Sequence, residues 1–257
     1  MKFFQVLSFC HTVQVDESAK EKYQASSPDE FSFIKFCTKL GIVFLGDEKD
    51  KNHSTMVRVV NFKGQIQKFL ILDILEFDST RKRMSIILKN LKTNQIVLFC
   101  KGAESAMFKN CTSGNVQAAD DDIKTFAENG WRTLALAFKN LSENDYKQIK
   151  DSIDAAKNDI LNRDERLAKV FDEVESRMEL LGATAVEDKL QDDVANTLES
   201  LRRAGIKVWV LTGDKKETAI NISHSCKHFS KDMSKLIITD LSKPDDIKNR
   251  LDYFEKQ

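Results

Sequence analysis

The chain has 257 residues, 41% of them hydrophobic and 31% charged. That is enough apolar material to bury a core, which excludes a disordered or fibrous protein. Lys plus Arg and Asp plus Glu each total 40, so the formal charge is zero, and this argues against nucleic acid as a partner through a chain-wide basic surface while leaving room for a local basic pocket. No run approaches the roughly 18 consecutive apolar residues of a membrane span, and residues 1–7 lack a full signal-peptide core and cleavage site, so the chain by itself reads as a soluble piece.

In chain order, residues 27–41 carry the marks of a short capped helix. Ser27 is the expected N-cap, Pro28 sits at N1, Glu30 at N3 completes a capping box, and Gly41 is the stop. Phe33, Phe36, Cys37 and Leu40 recur at helical spacing as its expected buried face. Residues 56–62, 67–75, 84–88 and 96–99 are β-branched or aromatic runs, and the turn-like segments 63–64 and 89–94 between them predict antiparallel hairpins. A helix is predicted over 120–129, stopped by Gly130 and followed by a strand over 131–138. Residues 143–175, with Ile149, Ile153, Ala156, Ile160 and Leu167 at helical spacing, predict one or two exposed helices.

Beyond residue 176 strands and helices alternate. Strands are expected over 178–185, 206–211 and 235–239, helices over 192–204 and 216–226, and a tight turn at Thr212-Gly213-Asp214. That alternation implies a parallel, doubly wound sheet. The predicted organisation is an α+β domain with an antiparallel sheet over 1–175, followed by part of an α/β domain over 176–257. The five cysteines (Cys10, Cys37, Cys100, Cys111 and Cys226) are odd in number and form no C-x-x-C pair, so reduced cytosolic thiols are the economical reading.

Several segments carry residues suited to chemistry. In doubly wound sheets ligands bind outside the carboxyl ends of the strands, where Thr212, Gly213 and Asp214 are expected. A hydroxyl, a flexible backbone and a carboxylate there suit phosphate contacts and the organisation of Mg²⁺, or else a plain turn in which Asp214 caps the next helix. The spacing is not that of a Walker A loop. Residues 76–84 set Phe77 beside Ser79, Thr80, Arg81, Lys82 and Arg83, which fits a base-stacking, phosphate-facing loop or a solvated basic loop with one core phenylalanine. Lys101 follows a strand and meets a nucleotide or only water. Arg132 opens a strand and grips phosphate or snorkels. For Glu30, capping the helix is the preferred local role. His224 and His228 share a helical face, but Cys226 points elsewhere and no third ligand is near, so no metal site is assigned. No G-x-S-x-G or H-E-x-x-H pattern supports hydrolase or protease chemistry.

The order of these segments is more informative than any one of them. Ser8-Phe9-Cys10-His11-Thr12-Val13, residues 23–30, 76–84, 101–104 and 130–134, then 182–192 and 208–215, form a series that resembles the type-IV P-type ATPases, the phospholipid flippases. The resemblance runs to about Ser225. The Ser-Pro-Asp-Glu, Phe-Asp-Ser-x-Arg-Lys-Arg-Met and Ala-x-Glu-Asp-Lys-Leu-Gln elements point to the lipid-transporting branch more than to ion pumps. By that resemblance residues 1–175 are a nucleotide-binding domain. Residues 176–257 are then part of a phosphorylation domain built as a partial haloacid-dehalogenase-like doubly wound parallel sheet.

The resemblance also implies ATP and Mg²⁺ as cofactors. Phe77 is then expected to stack on adenine, with Glu30 and Lys101 lining the pocket and Ser79 nearby. Arg132 is expected at the phosphates, and Thr212, Gly213 and Asp214 at the γ-phosphate end. Domain closure would carry the γ-phosphoryl group to an aspartate, leaving an aspartyl-phosphate. Trp131 stands where a leucine is more usual, and Phe31-Ser32-Phe33 is bulkier than the usual alanine-rich helix start. Neither Asp-Lys-Thr-Gly-Thr nor Gly-Asp-Gly-x-Asn-Asp occurs, so no catalytic residue and no metal ligand is assigned. The expectation is a slice of a multi-pass membrane protein, with this segment cytosolic. Phospholipid would be a substrate only of the complete protein, and an accessory subunit is left open. The alternatives are a stand-alone nucleotide-binding or regulatory module without catalysis and, more weakly, a phosphatase of the haloacid-dehalogenase type.

Overall fold

The computed structural model describes residues 1–18, 22–50, 55–187, 190–213, 216–229, 233, 235–238 and 244–255. The chain divides into two compact units, Met1–Asp188 and Lys189–Gln257. The first unit begins with α1 (Lys2–Phe9), β1 (Gln14–Val15), β2 (Tyr23–Gln24) and α2 (Pro28–Lys39). It continues with β3 (Ile42–Lys49), β4 (Met56–Phe62), β5 (Gln65–Asp78), β6 (Arg83–Asn90), β7 (Ile96–Gly102), α3 (Glu104–Met107), β8 (Cys111–Ser113) and α4 (Val116–Glu128). It ends with β9 (Arg132–Leu141), α5 (Glu143–Lys157), α6 (Arg163–Val174) and β10 (Met178–Val186).

Eight of these strands form one sheet in the order β3-β4-β5-β6-β7-β9-β10-β8, antiparallel throughout except for β10 with β8. The hairpins expected between 56 and 99 are present. Lys63 and Gly64, at φ 52° and 89°, turn β4 into β5 with the left-handed pair that a tight hairpin requires. Asn90 closes the next turn by accepting from the Lys92 and Thr93 N–H groups at 2.8 and 3.0 Å.

The central strands are covered on both faces, and side-chain alternation sorts their residues into two cores. Met84, Ile86 and Leu88 of β6 join Phe99 of β7 and Leu136 of β9 against Val6, Leu7 and Phe9 of α1 and Phe33 and Ile34 of α2. Phe9 lies with its ring centroid 4.6 Å from that of Phe69 and 6.4 Å from that of Phe99. Ile87, Leu98, Cys100, Ala135 and Ala137 point the other way, onto Met107 of α3, Ala119 of α4 and Val174 at the end of α6. Burial in these layers contributes about 1.5–3 kcal/mol per large apolar side chain. The buried face of α2 differs from the expected stripe: Phe33 and Cys37 are inside, while Phe36 and Leu40 are exposed.

The strand over 178–186 also departs from the sequence reading. It was expected to open the second, parallel domain beyond residue 176. In the structure β10 pairs antiparallel with β9 from Glu179 to Val186 and belongs to the first unit. Its sequence, Met-Glu-Leu-Leu-Gly-Ala-Thr-Ala-Val, suits either sheet, and only the apolar flank of β9 decides between them. The register shifts between Leu180 and Gly182, where Gly182 takes φ 135° and accommodates the irregularity.

The second unit contains α7 (Val194–Arg203), α8 (Lys216–Ser225) and α9 (Pro244–Glu255). The first two occupy the expected helical segments. Residues 206–213 and the described residues 235–238 carry no strand, so the doubly wound parallel sheet expected over 176–257 is not formed among the described residues. Trp209 is 82% and Leu211 94% exposed. A parallel strand needs a hydrogen-bonded neighbour and cover on both faces, and no other described segment of this unit supplies one. Among the described residues no helix is long and apolar enough to cross a membrane, and all five cysteines are free.

Candidate functional site

Ser27 caps α2 by accepting the Glu30 backbone N–H at 3.4 Å, with Pro28 in the first turn. The expected reciprocal half of the capping box is absent. The Glu30 carboxylate turns inward instead, where one oxygen accepts from the Lys101 ammonium at 2.6 Å and the other from the Thr12 N–H and hydroxyl, both at 2.9 Å. Both charged residues are buried, each 6% exposed. Burial pushes the Glu30 carboxyl up, but the charge and hydrogen bond of Lys101 and the two bonds from Thr12 outweigh it and hold the group below the usual carboxylate range. Lys101 also lies 5.9 Å from the Phe33 ring centroid.

The loop that delivers Thr12 is itself anchored. Arg58 of β4, 2% exposed, grips Asp47 with Nε and Nη2 at 2.8 and 2.7 Å. Its third nitrogen donates to the Phe9 and His11 carbonyls at 2.5 and 2.8 Å. His11 accepts the Val13 N–H on Nδ1 at 3.2 Å and therefore carries its proton on Nε2, which donates to the Ser8 carbonyl at 3.0 Å. Burial, reinforced by the charges of Arg58 and Lys101, keeps this ring neutral.

Strand register sets the remaining residues around this pair. Met84 pairs with Lys101, and Lys101 with Leu136. On β5, Leu75 pairs with Ser85 and Asp78 with Arg83, so Glu76 and Phe77 together oppose Met84 in a β-bulge. Phe77 is 64% exposed although Leu75, two residues earlier, is fully buried. Along β9, Arg132 shares the parity of Leu134 and Leu136, which pack on the α1 and α2 side. Its guanidinium meets Asp29 in the first turn of α2 at 3.5 Å. An exposed ring, a buried ammonium–carboxylate pair and a half-exposed guanidinium thus share one side of four adjacent strands. Stacking and charge-assisted hydrogen bonding are available together there.

Ser79 lies exposed in the turn that follows. The basic run after it does not behave as expected. Both readings of this run, phosphate-facing or solvated, leave its basic side chains outside the core, yet Arg81 and Arg83 are 8% and 1% exposed and turn into the opposite core. Arg81 donates to both oxygens of Glu175 at 2.6 Å, and Arg83 donates to Glu175 at 2.6 Å and to Asp172. Lys82 alone of the three is at the surface. Gly102 lets this turn approach β7: a Cβ there would lie 2.4 Å from the Arg83 Cβ and 2.6 Å from the Lys82 carbonyl oxygen.

Thr212 and Gly213 are exposed residues of the second unit, and Asp214 lies outside the described residues. Thr12, Arg58 and Glu175 are the participants that sequence reasoning missed. Thr12 sits inside a quoted motif, whereas Glu175 and Arg58 read locally as ordinary charges on a helix end and a strand. Among the described residues no group of three or more His, Cys, Asp or Glu side chains is placed to hold a metal ion.

Residues 1–193 of the chain match the family described as P-type ATPase, cytoplasmic domain N. The chain belongs to that family, and the curated proteins it is similar to are phospholipid-transporting ATPases. It is 42% identical over 246 residues to the mouse phospholipid-transporting ATPase 11C, covering 92% of this chain and 21% of that protein. Over 250 residues it is 40% identical to the human phospholipid-transporting ATPase IH, covering 92% and 22%. With the Arabidopsis thaliana probable phospholipid-transporting ATPase 12 the identity is 41% over 244 residues, covering 92% and 20%. The chain therefore spans about a fifth of the length of these curated relatives.

Proposed function

We propose that the first unit binds ATP on the side of the sheet that carries Phe77, Lys101, Glu30 and Arg132. In the complete protein this binding serves ATP-driven phospholipid translocation through an aspartyl-phosphate. The observation that carries the reading is the exposed Phe77 ring, in strand register with a buried Lys101–Glu30 pair, within a chain of the N-domain family. Adenine would stack on Phe77, close to Ser79. Glu30, ionised, offers an acceptor and Lys101 a donor to its edge. Arg132, and Lys82 at the exposed turn, meet the phosphates.

The second unit, with Thr212, Gly213 and Asp214 toward the γ-phosphate, is read as part of a haloacid-dehalogenase-like phosphorylation domain. The helical segments α7 and α8 and the continued similarity to the transporting ATPases support this. Mg²⁺ would arrive on the triphosphate, whose oxygens can supply much of its coordination. The complete protein would lie in a membrane with this segment on the cytosolic side, as the description of the matched family suggests. Phospholipid would be its substrate, and no nucleic acid takes part.

The test is a calorimetric titration of the purified chain with Mg-ATP. Phe77→Ala and Lys101→Ala are expected to weaken binding, and wild-type affinity in both would overturn the reading.

A further inference from the structure

The buried carboxylate of Glu175 has no part in the proposed nucleotide contacts, yet it accepts more hydrogen bonds than any ordinary helix-end residue requires. It follows the last residue of α6 and is fully buried, 0% exposed. Arg81 Nη1 donates to both of its oxygens at 2.6 Å, Arg83 Nε to Oε2 at 2.6 Å, and the Ser85 hydroxyl to Oε1 at 2.7 Å. The second arm of Arg83 reaches Asp172, so two guanidinium charges are balanced by two carboxylates. The second arm of Arg81 reaches back to the Glu76 carbonyl at 2.5 Å. Glu76 is the first residue of the bulge, and Phe77 is the next.

We propose that Glu175 is a positioning residue for the nucleotide: through Arg81 it holds the Glu76 carbonyl and so the bulge that presents Phe77. The inference rests on the reading of this face as an ATP site. Residues 78–83 are secured from the other side as well. The Ala103 N–H donates to the Lys82 carbonyl at 3.0 Å, and Asp78 Oδ1 accepts the Thr80 and Arg81 N–H groups at 2.9 and 2.8 Å. The apolar incentive for an exposed ring is to fold back onto the sheet. A carbonyl clamped from beneath resists the backbone rotation that such a collapse needs. Stability is the weaker explanation of the network, because buried ion clusters can often be replaced by apolar residues at little cost in stability.

The test compares Mg-ATP binding by the wild-type chain, Phe77→Ala, Glu175→Gln and Arg81→Lys, and follows the Phe77 ring protons by NMR as ATP is added. Arg81→Lys keeps the buried charges balanced while losing the fork that reaches Glu76, so it decides the matter where Glu175→Gln does not fold. Both variants are expected to weaken ATP about tenfold, within what one stacked base is worth, and to lose the ATP-induced shift of the Phe77 ring signals while staying folded. A folded Arg81→Lys that keeps wild-type affinity and the full ring shift, with Phe77→Ala still impaired, overturns the role of Glu175 alone. Wild-type affinity in Phe77→Ala overturns the ATP-site reading beneath it.

Discussion

Glu30 and Lys101, 71 residues apart in the chain, meet at 2.6 Å inside the first unit, and Thr12 satisfies the carboxylate oxygen that Lys101 leaves. A helix start, a strand end and the loop after α1 are thereby tied at one point. Breaking such a pair leaves one buried charge without compensation, which costs about 3–5 kcal/mol. Lys101→Met is expected to lower the urea unfolding free energy by about that amount. The double variant Glu30→Gln/Lys101→Met should lie closer to wild type, because it leaves no lone charge. An equal loss in both would refute the pairing energetics.

The same carboxylate predicts a pH dependence. Its folded-state pKa lies below the ordinary value, so the unfolded chain binds its proton more readily than the folded one. The stabilisation from Glu30 is then fully present above the usual carboxylate range and is lost as pH falls through the lowered folded value. Urea midpoints of the wild type should fall more steeply below about pH 4.3 than those of Glu30→Gln. Parallel acid profiles would contradict the assignment.

Two phenylalanines of the same sheet should behave in opposite ways. Phe99 is fully buried against Phe9, whereas Phe77 is 64% exposed. Phe99→Ala should cost about 3–5 kcal/mol. Phe77→Ala should change stability by no more than about 0.5 kcal/mol while reducing ATP affinity. Chemical denaturation checks the first pair of values and calorimetry the last.

Gly102→Ala tests the approach of the 78–83 turn to β7. The added methyl would meet the Arg83 Cβ, the Lys82 carbonyl oxygen and the Arg83 Cα at 2.4, 2.6 and 2.8 Å, so backbone has to shift. A loss of about 1–3 kcal/mol is expected, together with amide chemical-shift changes centred on residues 80–84. An unperturbed spectrum in that turn would show that the close approach is not needed.

Local pattern by itself determined a good deal about this protein. β-branched and aromatic runs marked the strands from 56 to 99, Ser27 and Pro28 marked the start of α2, and the ordered motifs identified the family. These are properties of neighbouring residues, and backbone geometry and side-chain alternation translate them directly into elements. Tertiary structure alone decided where the charged side chains went. Arg81, Lys82 and Arg83 look alike in sequence, but Glu175, 94 residues away from Arg81, draws the two outer ones into the core and leaves the middle one at the surface. Glu30 abandons its expected cap because Lys101 lies beneath it, and the strand over 178–186 joins the first sheet because β9 offers it a flank. An ionic side chain enters a core only where a partner offsets its desolvation. For Glu30 and for Arg81 and Arg83 that partner is supplied by a distant part of the chain.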